Sequence, residues 1–415
     1  MKKLLALLLA LVMSLSLAAC GGSDEETPSD TTDEGSGTEE TAGIAAEDLQ
    51  IGLICIHDEN SGYDLAHIDG LRGACEALGI GEDQITMRIN IPESQECYDA
   101  ATQLADAGCD IIFSDSYGHQ SYMALAAQDY PDVTFVACTG DQAAVAGIPN
   151  LKNIFPYTYE SRYVSGVVAG VKLKEMMDNG EVTDPYIGYV GAYSFAEVIS
   201  GFTAYYLGAK SVCPSVTMKV NFVGSWSDAT LEGNAAQALC DEGCIMISQH
   251  SDNTTPATAA QAAGAFHTGY NNDMISIAPE ASLIGTRIDW SIYFEYAIEA
   301  VANGQEFDQD WCHGMDEGAV VMTPLNEEIA APGTAEKLAE VEEQIRSGAL
   351  QVFDTSTFTV DGAEMTTCMA IDTDGDFVAD AEEAVFDGAF HESYFQSAPY
   401  FTARIDGIEW LNEAF

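Results

Sequence analysis

Short apolar runs and amphipathic segments alternate along this chain, and the alternation is set out twice. Ile51–Ile56, Ile85–Ile89, Asp110–Phe113 and Val133–Cys138 read as strands. Between them, Tyr63–Leu78, Glu96–Ala107 and His119–Gln128 carry helical spacing, the first through Leu65, Ile68, Leu71 and Cys75 to a stop at Gly79. The rhythm then restarts with a long helix at Ser161–Met177. Strands follow at Tyr186–Val190, Val216–Phe222, Cys244–Ser248 and Phe266–Gly269, with helices at Ala196–Leu207, Ala229–Asp241 and Pro256–Ala263 between them. Apolar strands joined through helices pair in parallel by right-handed crossovers, so the pattern predicts two α/β lobes of one design. Further on, Ser282–Gly285 and Ala319–Leu325 read as strands, Trp290–Ala302 and Ala335–Arg346 as helices, and the tail from Gln351 is rich in turns and β-formers. The expected partition is residues 49–156 plus 284–325 in the N-terminal lobe. Residues 157–283 plus 326–415 form the C-terminal lobe, with an acidic insertion near 370–390.

Ahead of the folded part lies a leader. Lys2 and Lys3 precede an apolar stretch, Leu4–Val12, too short to span a bilayer as a helix. Leu17-Ala18-Ala19-Cys20 then offers small residues before a thiol, the pattern of a lipoprotein signal. Residues 1–19 are therefore expected to be a signal peptide and Cys20 the lipidation site. Residues 20–48, mostly Gly, Ser, Thr, Asp and Glu, are expected to be a tether that buries too little apolar surface to fold.

Charge excludes several classes of partner. The chain carries 67 Asp and Glu against 14 Lys and Arg, a formal charge of −53. Nucleic acid needs a basic face, and free phosphate esters would be repelled. A neutral or cationic solute fits better. The cysteines, 11 in all, are scattered, without zinc spacing or the density of a small disulfide scaffold. Hydrolase, P-loop, dinucleotide and zincin signatures are absent, so no enzyme activity and no cofactor are expected. Asp372, Asp374, Asp376, Asp380 and Glu383 fall at the spacing of a calcium loop, although Phe377 stands where a turn glycine belongs. The same run also reads as an acidic hairpin insertion.

Open parallel sheets bind ligands beyond the carboxyl ends of their strands. That rule selects the loops His57–Asp64, Ser114–His119, Gln249–Thr254 and Asn271–Asp273, and the turn holding Trp226. Aromatic rings there can stack on a flat heterocycle, and carboxylates and amides can hydrogen-bond its edges.

Several ordered stretches resemble one family. They are His57-Asp58-Glu59-Asn60-Ser61-Gly62-Tyr63, Gly108-Cys109-Asp110-Ile111-Ile112-Phe113, Tyr130-Pro131-Asp132-Val133 with Phe135, Glu160 with Arg162-Tyr163 and Gly166, Gly188-Tyr189-Val190-Gly191-Ala192, and Gly224-Ser225-Trp226. Together they are similar to the basic-membrane-protein family of ABC-transporter lipoproteins, which includes purine nucleoside receptors. The resemblance implies the type I periplasmic-binding-protein fold, two Rossmann-like lobes joined by a three-crossing hinge. It further implies a monomer that binds a purine nucleoside or base, is held to the cell membrane through its lipid alone, and delivers its ligand to a permease driven by an ATPase.

By position, Tyr63 and Trp226 stand at stacking sites, Asp58, Asn60 and Asp64 in the first acidic loop, and Ser116 and Tyr117 after the third strand. His250, Ser251 and Asp252 replace a Gly-rich loop, Asn271 and Asp273 match an acidic loop, and Arg287 a basic position. Asn271 for Asp points toward a branch associated with adenine, so base and nucleoside both stay open. A sensor on the same fold and, more remotely, a nucleoside hydrolase are the alternatives.

Overall fold

The computed structural model describes residues 43–372 and 378–414. The proposed lipidation site Cys20, and Asp374 and Asp376 of the acidic run, lie outside the described residues.

In chain order the first half runs β1 (Ile51–Ile54), α1 (Gly62–Leu78), β2 (Ile85–Arg88), α2 (Gln95–Asp106), β3 (Ile111–Ser114), α3 (Gln120–Asp129), β4 (Thr134–Ala137), the single turn α4 (Ala143–Ala146) and β5 (Leu151–Ile154). The second half runs α5 (Thr158–Asp178), β6 (Tyr186–Gly191), α6 (Ala196–Val212), β7 (Thr217–Phe222), α7 (Ala229–Asp241), β8 (Met246–His250), α8 (Thr255–Ala263), β9 (Phe266–Tyr270) and β10 (Ser282–Ile288). Then come α9 (Trp290–Ala302), β11 (Asp310–Trp311), β12 (Val320–Met322) and α10 (Thr334–Arg346). The tail holds two small hairpins, β13 (Met369–Ile371) with β14 (Ala381–Glu383) and β15 (Val385–Phe386) with β16 (Ala389–Phe390), before β17 (Ile408–Trp410).

Two sheets result. The first has the order β11-β5-β4-β3-β1-β2 and the second β12-β10-β9-β8-β6-β7-β17, every pairing parallel except β10 with β12. Strands β1, β3 and β5 are buried throughout, as strands covered by helices on both faces must be. Helix α2 shows how the cover forms: Cys97, Ala100, Ala101 and Leu104 make one apolar stripe that packs with Ile112 and Phe135 of the sheet. Helices α5 and α6 pack more closely still, because Gly166 and Gly208 lie directly against the carbonyls of Tyr205 and Tyr163, where a Cβ would overlap them.

Each sheet reverses its strand order once, between β1 and β3 and between β6 and β8. These are the switch points at which doubly wound sheets open a crevice. The twofold α/β design and the parallel sheets expected from the sequence are both present. The crossings fall elsewhere than expected: β10 and β12 pair within the second sheet, and only the stretch carrying α9 and β11 returns to the first. Apolar runs such as Ser282–Ile288 disclose a strand but not which sheet it joins. Strands β5, β11 and β17 went unread because they are short or polar at the centre, Lys152 and Asn153 standing inside β5.

The tail ties both halves together. β17 adds to the second sheet beside β7, while the Ser397 hydroxyl accepts from Asn153 Nδ2 at 2.9 Å and Ser397 N donates to Asp310 at 2.7 Å on the edge of the first.

Candidate ligand-binding cleft

Strand ends of both sheets meet around one cleft with about 410 Å³ of space free of protein atoms. The first sheet contributes Ile56, Tyr63, Asp115, Ser116, Tyr117 and Thr139; the second contributes Glu197, Trp226, His250, Asp252 and Tyr270. The two halves touch directly, Gly62 N donating to the Asp252 carbonyl at 3.2 Å.

The first wall grows from β1, β3 and β4. Ser61 caps α1 by accepting from Asp64 N, which sets Tyr63 in the opening turn with its hydroxyl donating to the Cys138 carbonyl at 3.2 Å. Ser116 donates to Glu93 at 2.6 Å and Tyr117 to Asp141 at 2.7 Å, so both are held from outside the cleft. Beneath them lies a pair of buried carboxyls. Ile56 N donates to Asp115 Oδ1 at 2.9 Å and His57 N to Asp64 Oδ1 at 2.7 Å, while both Oδ2 atoms are buried without another hydrogen-bond partner. Side by side and buried, the two carboxyls oppose each other's ionisation. Burial, then the Asp64 charge, hold Asp115 well above the usual carboxylate range. Burial also pushes Asp64 up, but hydrogen bonds from His57 and Ser61 outweigh it and leave it below the ordinary value. His57, whose ring lies 3.5 Å from Asp64, is raised chiefly by that contact.

The second wall grows from β6, β7, β8 and β9. Glu197 sits in the first turn of α6, where unpaired backbone N–H groups favour a carboxylate. His250 Nε2 lies 3.0 Å from Glu197 Oε1. Burial, then the neighbouring Arg162 guanidinium, lower His250 to about 4, so the ring is neutral and donates through Nε2. Arg162 is 1 % exposed; its Nη1 donates to the Gln249 carbonyl at 2.9 Å and its Cζ lies 3.7 Å above the Tyr270 ring. Burial, then Asp64 and Glu232, raise Asp252 well above the ordinary range. Trp226 is half-buried against Tyr193, ring centres 5.1 Å apart at 61°, and its carbonyl accepts from Asp252 N.

Six residues singled out in the sequence thus come together here: Tyr63, Ser116, Tyr117, Trp226, His250 and Asp252. Asp64 and Ser251 are fully buried and do not line the cleft. Asp58 and Asn60 satisfy each other in a local turn, Asp58 accepting from Asn60 N and Nδ2 at 3.0 and 2.8 Å. Asn271, Asp273 and Arg287 are not brought to the cleft. They line a second, separate cavity with Asp69 and Trp290, beside the β10–α9 connection. The strand after which Asn271 and Asp273 follow turns Tyr270 inward, and Arg287 faces Asp289 at 3.7 Å.

Ile56, Asp115, Thr139, Glu197 and Tyr270 were missed as individual residues, although each closes a strand or opens the following loop or helix. The strand-end rule, applied residue by residue, reaches all but Glu197. Its place in the cleft depends on the His250 contact across 53 residues of sequence.

Metal-type donors do converge once beside the cleft: Cys55, Asp64 and Asp115 offer ligand atoms within 4.8 Å of one another. Burial pushes the Cys55 thiol far up and raises Asp115 with it, so the trio suits a hydrogen-bonded cluster better than a divalent ion. In the acidic run, Glu383 is spent within its hairpin, accepting from Cys368 N at 2.8 Å and Val385 N at 3.0 Å.

Comparison with known proteins identifies the family and the fold. Residues 43–355 match the family described as ABC transporter substrate-binding protein PnrA-like. A purine-binding protein of Brucella abortus is 33 % identical over 325 residues, 78 % of this chain and 88 % of its own. A Haloferax volcanii protein named as an ABC transporter glucose-binding protein is 31 % identical, with 72 % of each chain covered. Among solved structures, solute-binding proteins of Aeropyrum pernix and Conexibacter woesei superpose with TM-scores of 0.60 and 0.56 at 13 % and 18 % identity. They cover 79 % and 73 % of this chain and 95 % and 98 % of their own.

Proposed function

We propose, for a chain that belongs to the PnrA-like family of ABC transporter substrate-binding proteins, that the cleft captures a purine, as free base or nucleoside, and that closure over it forms the surface read by a permease. Proteins of this class are extracytoplasmic ligand carriers with the fold of solute-binding proteins, not of enzymes. No helix among the described residues is long and apolar enough to cross a membrane. In this proposal Cys20 carries the lipid, and the acidic stretch after it is a tether. The tether ends before Ile44, whose N–H donates to the Ala302 carbonyl at 2.7 Å, and not at residue 48 as expected. The folded part works as a monomer that opens and closes about a hinge.

One observation carries the ligand class. Aromatic side chains from both halves, Tyr63 and Tyr117 with Trp226 and Tyr270, line a space that no Lys or Arg lines among the described residues. A flat uncharged ring gains by stacking there, whereas a phosphorylated one would meet acidic groups without a counter-charge. The Brucella relative is named for the same class. A second reading, a sugar, rests on the Haloferax relative and on carboxyl groups able to accept from hydroxyls.

Calorimetry separates the two. A purine should bind and D-glucose should not, and Trp226→Ala should weaken purine binding about tenfold, the worth of one stacked ring. Unchanged purine affinity in that variant would contradict stacking on Trp226.

A further inference from the structure

The second wall holds a polar chain that purine capture alone does not require. Arg162 is buried with Nε and Nη2 lacking any acceptor among the described residues. His250, 1 % exposed, lies between that guanidinium and Glu197. The approach is possible because residue 201 is glycine: a Cβ there would fall 2.8 Å from His250 Nδ1 and 3.8 Å from Arg162 Nε. A carboxylate only accepts, so the proton between His250 and Glu197 must sit on Nε2, and the guanidinium behind opposes a second proton on Nδ1. His250 is therefore a fixed donor that orients Glu197 at the cleft, where the Glu197 side chain keeps 16 % of its surface exposed.

The rest of the lining differs in kind. Thr139 and Tyr270 hydroxyls have no partner among the described residues and can donate or accept. Asp252 is held toward its neutral, donating form. Such groups satisfy either a ring nitrogen or a carbonyl. Glu197 accepts only.

We propose that Glu197 is the residue that selects among purines, accepting hydrogen bonds from an exocyclic amino group and turning away purines that lack one. A carbonyl placed against it would set two acceptors face to face with no proton between them, in a site shielded from water. Built-in repulsion of this kind discriminates more strongly than lost packing. The inference rests on the purine reading above, and its test keeps the two apart.

Dissociation constants would be measured by calorimetry for adenine, adenosine and guanosine against hypoxanthine and inosine. The unmodified protein should favour the amino members by about 30-fold or more. In Glu197→Gln the amide oxygen can still accept from His250 while the amide N–H groups face the ligand, so the preference should vanish or reverse. Inosine binding within threefold of both adenosine and guanosine in the unmodified protein overturns the role of Glu197, even if the variant proves unstable. So does a well-folded Glu197→Gln that keeps the original ratios. Failure of every purine, with another solute bound, overturns the ligand class instead.

Discussion

The two walls of the cleft keep acidic groups out of water by different means. On the first, Asp115 lies beside Asp64 and is held toward its neutral form by burial and by the Asp64 charge, while the His57 ring faces Asp64 at 3.5 Å. On the second, one buried arginine stands behind a neutral histidine, and the carboxylate in front of it presents only acceptor atoms. In a chain with 14 Lys and Arg among 415 residues, buried cations are scarce. Arg162 stands behind the one carboxylate that only accepts, while Asp252 and Tyr270 on the same wall, like Thr139 on the other, can also donate.

The hardest blow to this contrast is Arg162→Met. It should make the second wall resemble the first, costing about 3 kcal/mol of stability because a buried charge network loses its centre. Denaturant unfolding measures this directly. Arg162→Lys should not restore the loss, since an ammonium cannot both reach the Gln249 carbonyl and lie flat on the Tyr270 ring.

Next is pH. Burial raises Glu232, behind the second wall, to about 7 and Glu392, in the tail, to about 8. Asp115 and Asp252 are raised as well. Between the ordinary value and the raised one, the folded state holds a proton that the unfolded chain has released, so stability falls as pH rises. Buried neutral histidines such as His67 and His250, lowered to about 4 from 6.5, act oppositely, but only below pH 6.5. From pH 6.5 to 8 the carboxyl effect is joined by that of His57, which is raised above 6.5 and acts in the same direction. At least about 2 kcal/mol should be lost, the worth of Glu392 alone, read as a falling melting temperature. Asp115→Asn should flatten the slope at little cost, an amide imitating a neutral acid.

Gly201→Ala should have a smaller effect, about 1 kcal/mol, as the new methyl displaces His250 and weakens its hold on Glu197. Its signature is a loss of selectivity between adenosine and inosine exceeding the loss of stability.

The smallest change belongs to the second cavity. Arg287→Ala should alter ligand affinity less than twofold in calorimetry, since the Arg287 side chain is half exposed and paired only with Asp289 at 3.7 Å.

That last contrast shows what the sequence can disclose. Strand–helix alternation is a local property, so both lobes, and loops such as Ser114–His119, could be read from it. Which of two sheets a strand joins is not local, hence the misplaced boundary at β10 and β12. Trp226, His250 and Asp252 were found because they follow strand ends directly. Asn271 and Asp273 satisfy the same rule, yet the turn after β9, with Asn271 at φ 60°, directs them to the second cavity, where Arg287, taken from the family resemblance, lies within β10. Glu197 has no such signal: it opens a helix, and only the fold brings His250 to it.

The most direct test of the central claim is thermal unfolding of the protein with adenosine and with D-glucose, each over a concentration series. A ligand at a hundred times its dissociation constant adds about 2.7 kcal/mol to the folded state. The account predicts a saturable rise in melting temperature with adenosine and none with D-glucose. A rise with glucose and none with adenosine or any other purine would contradict it.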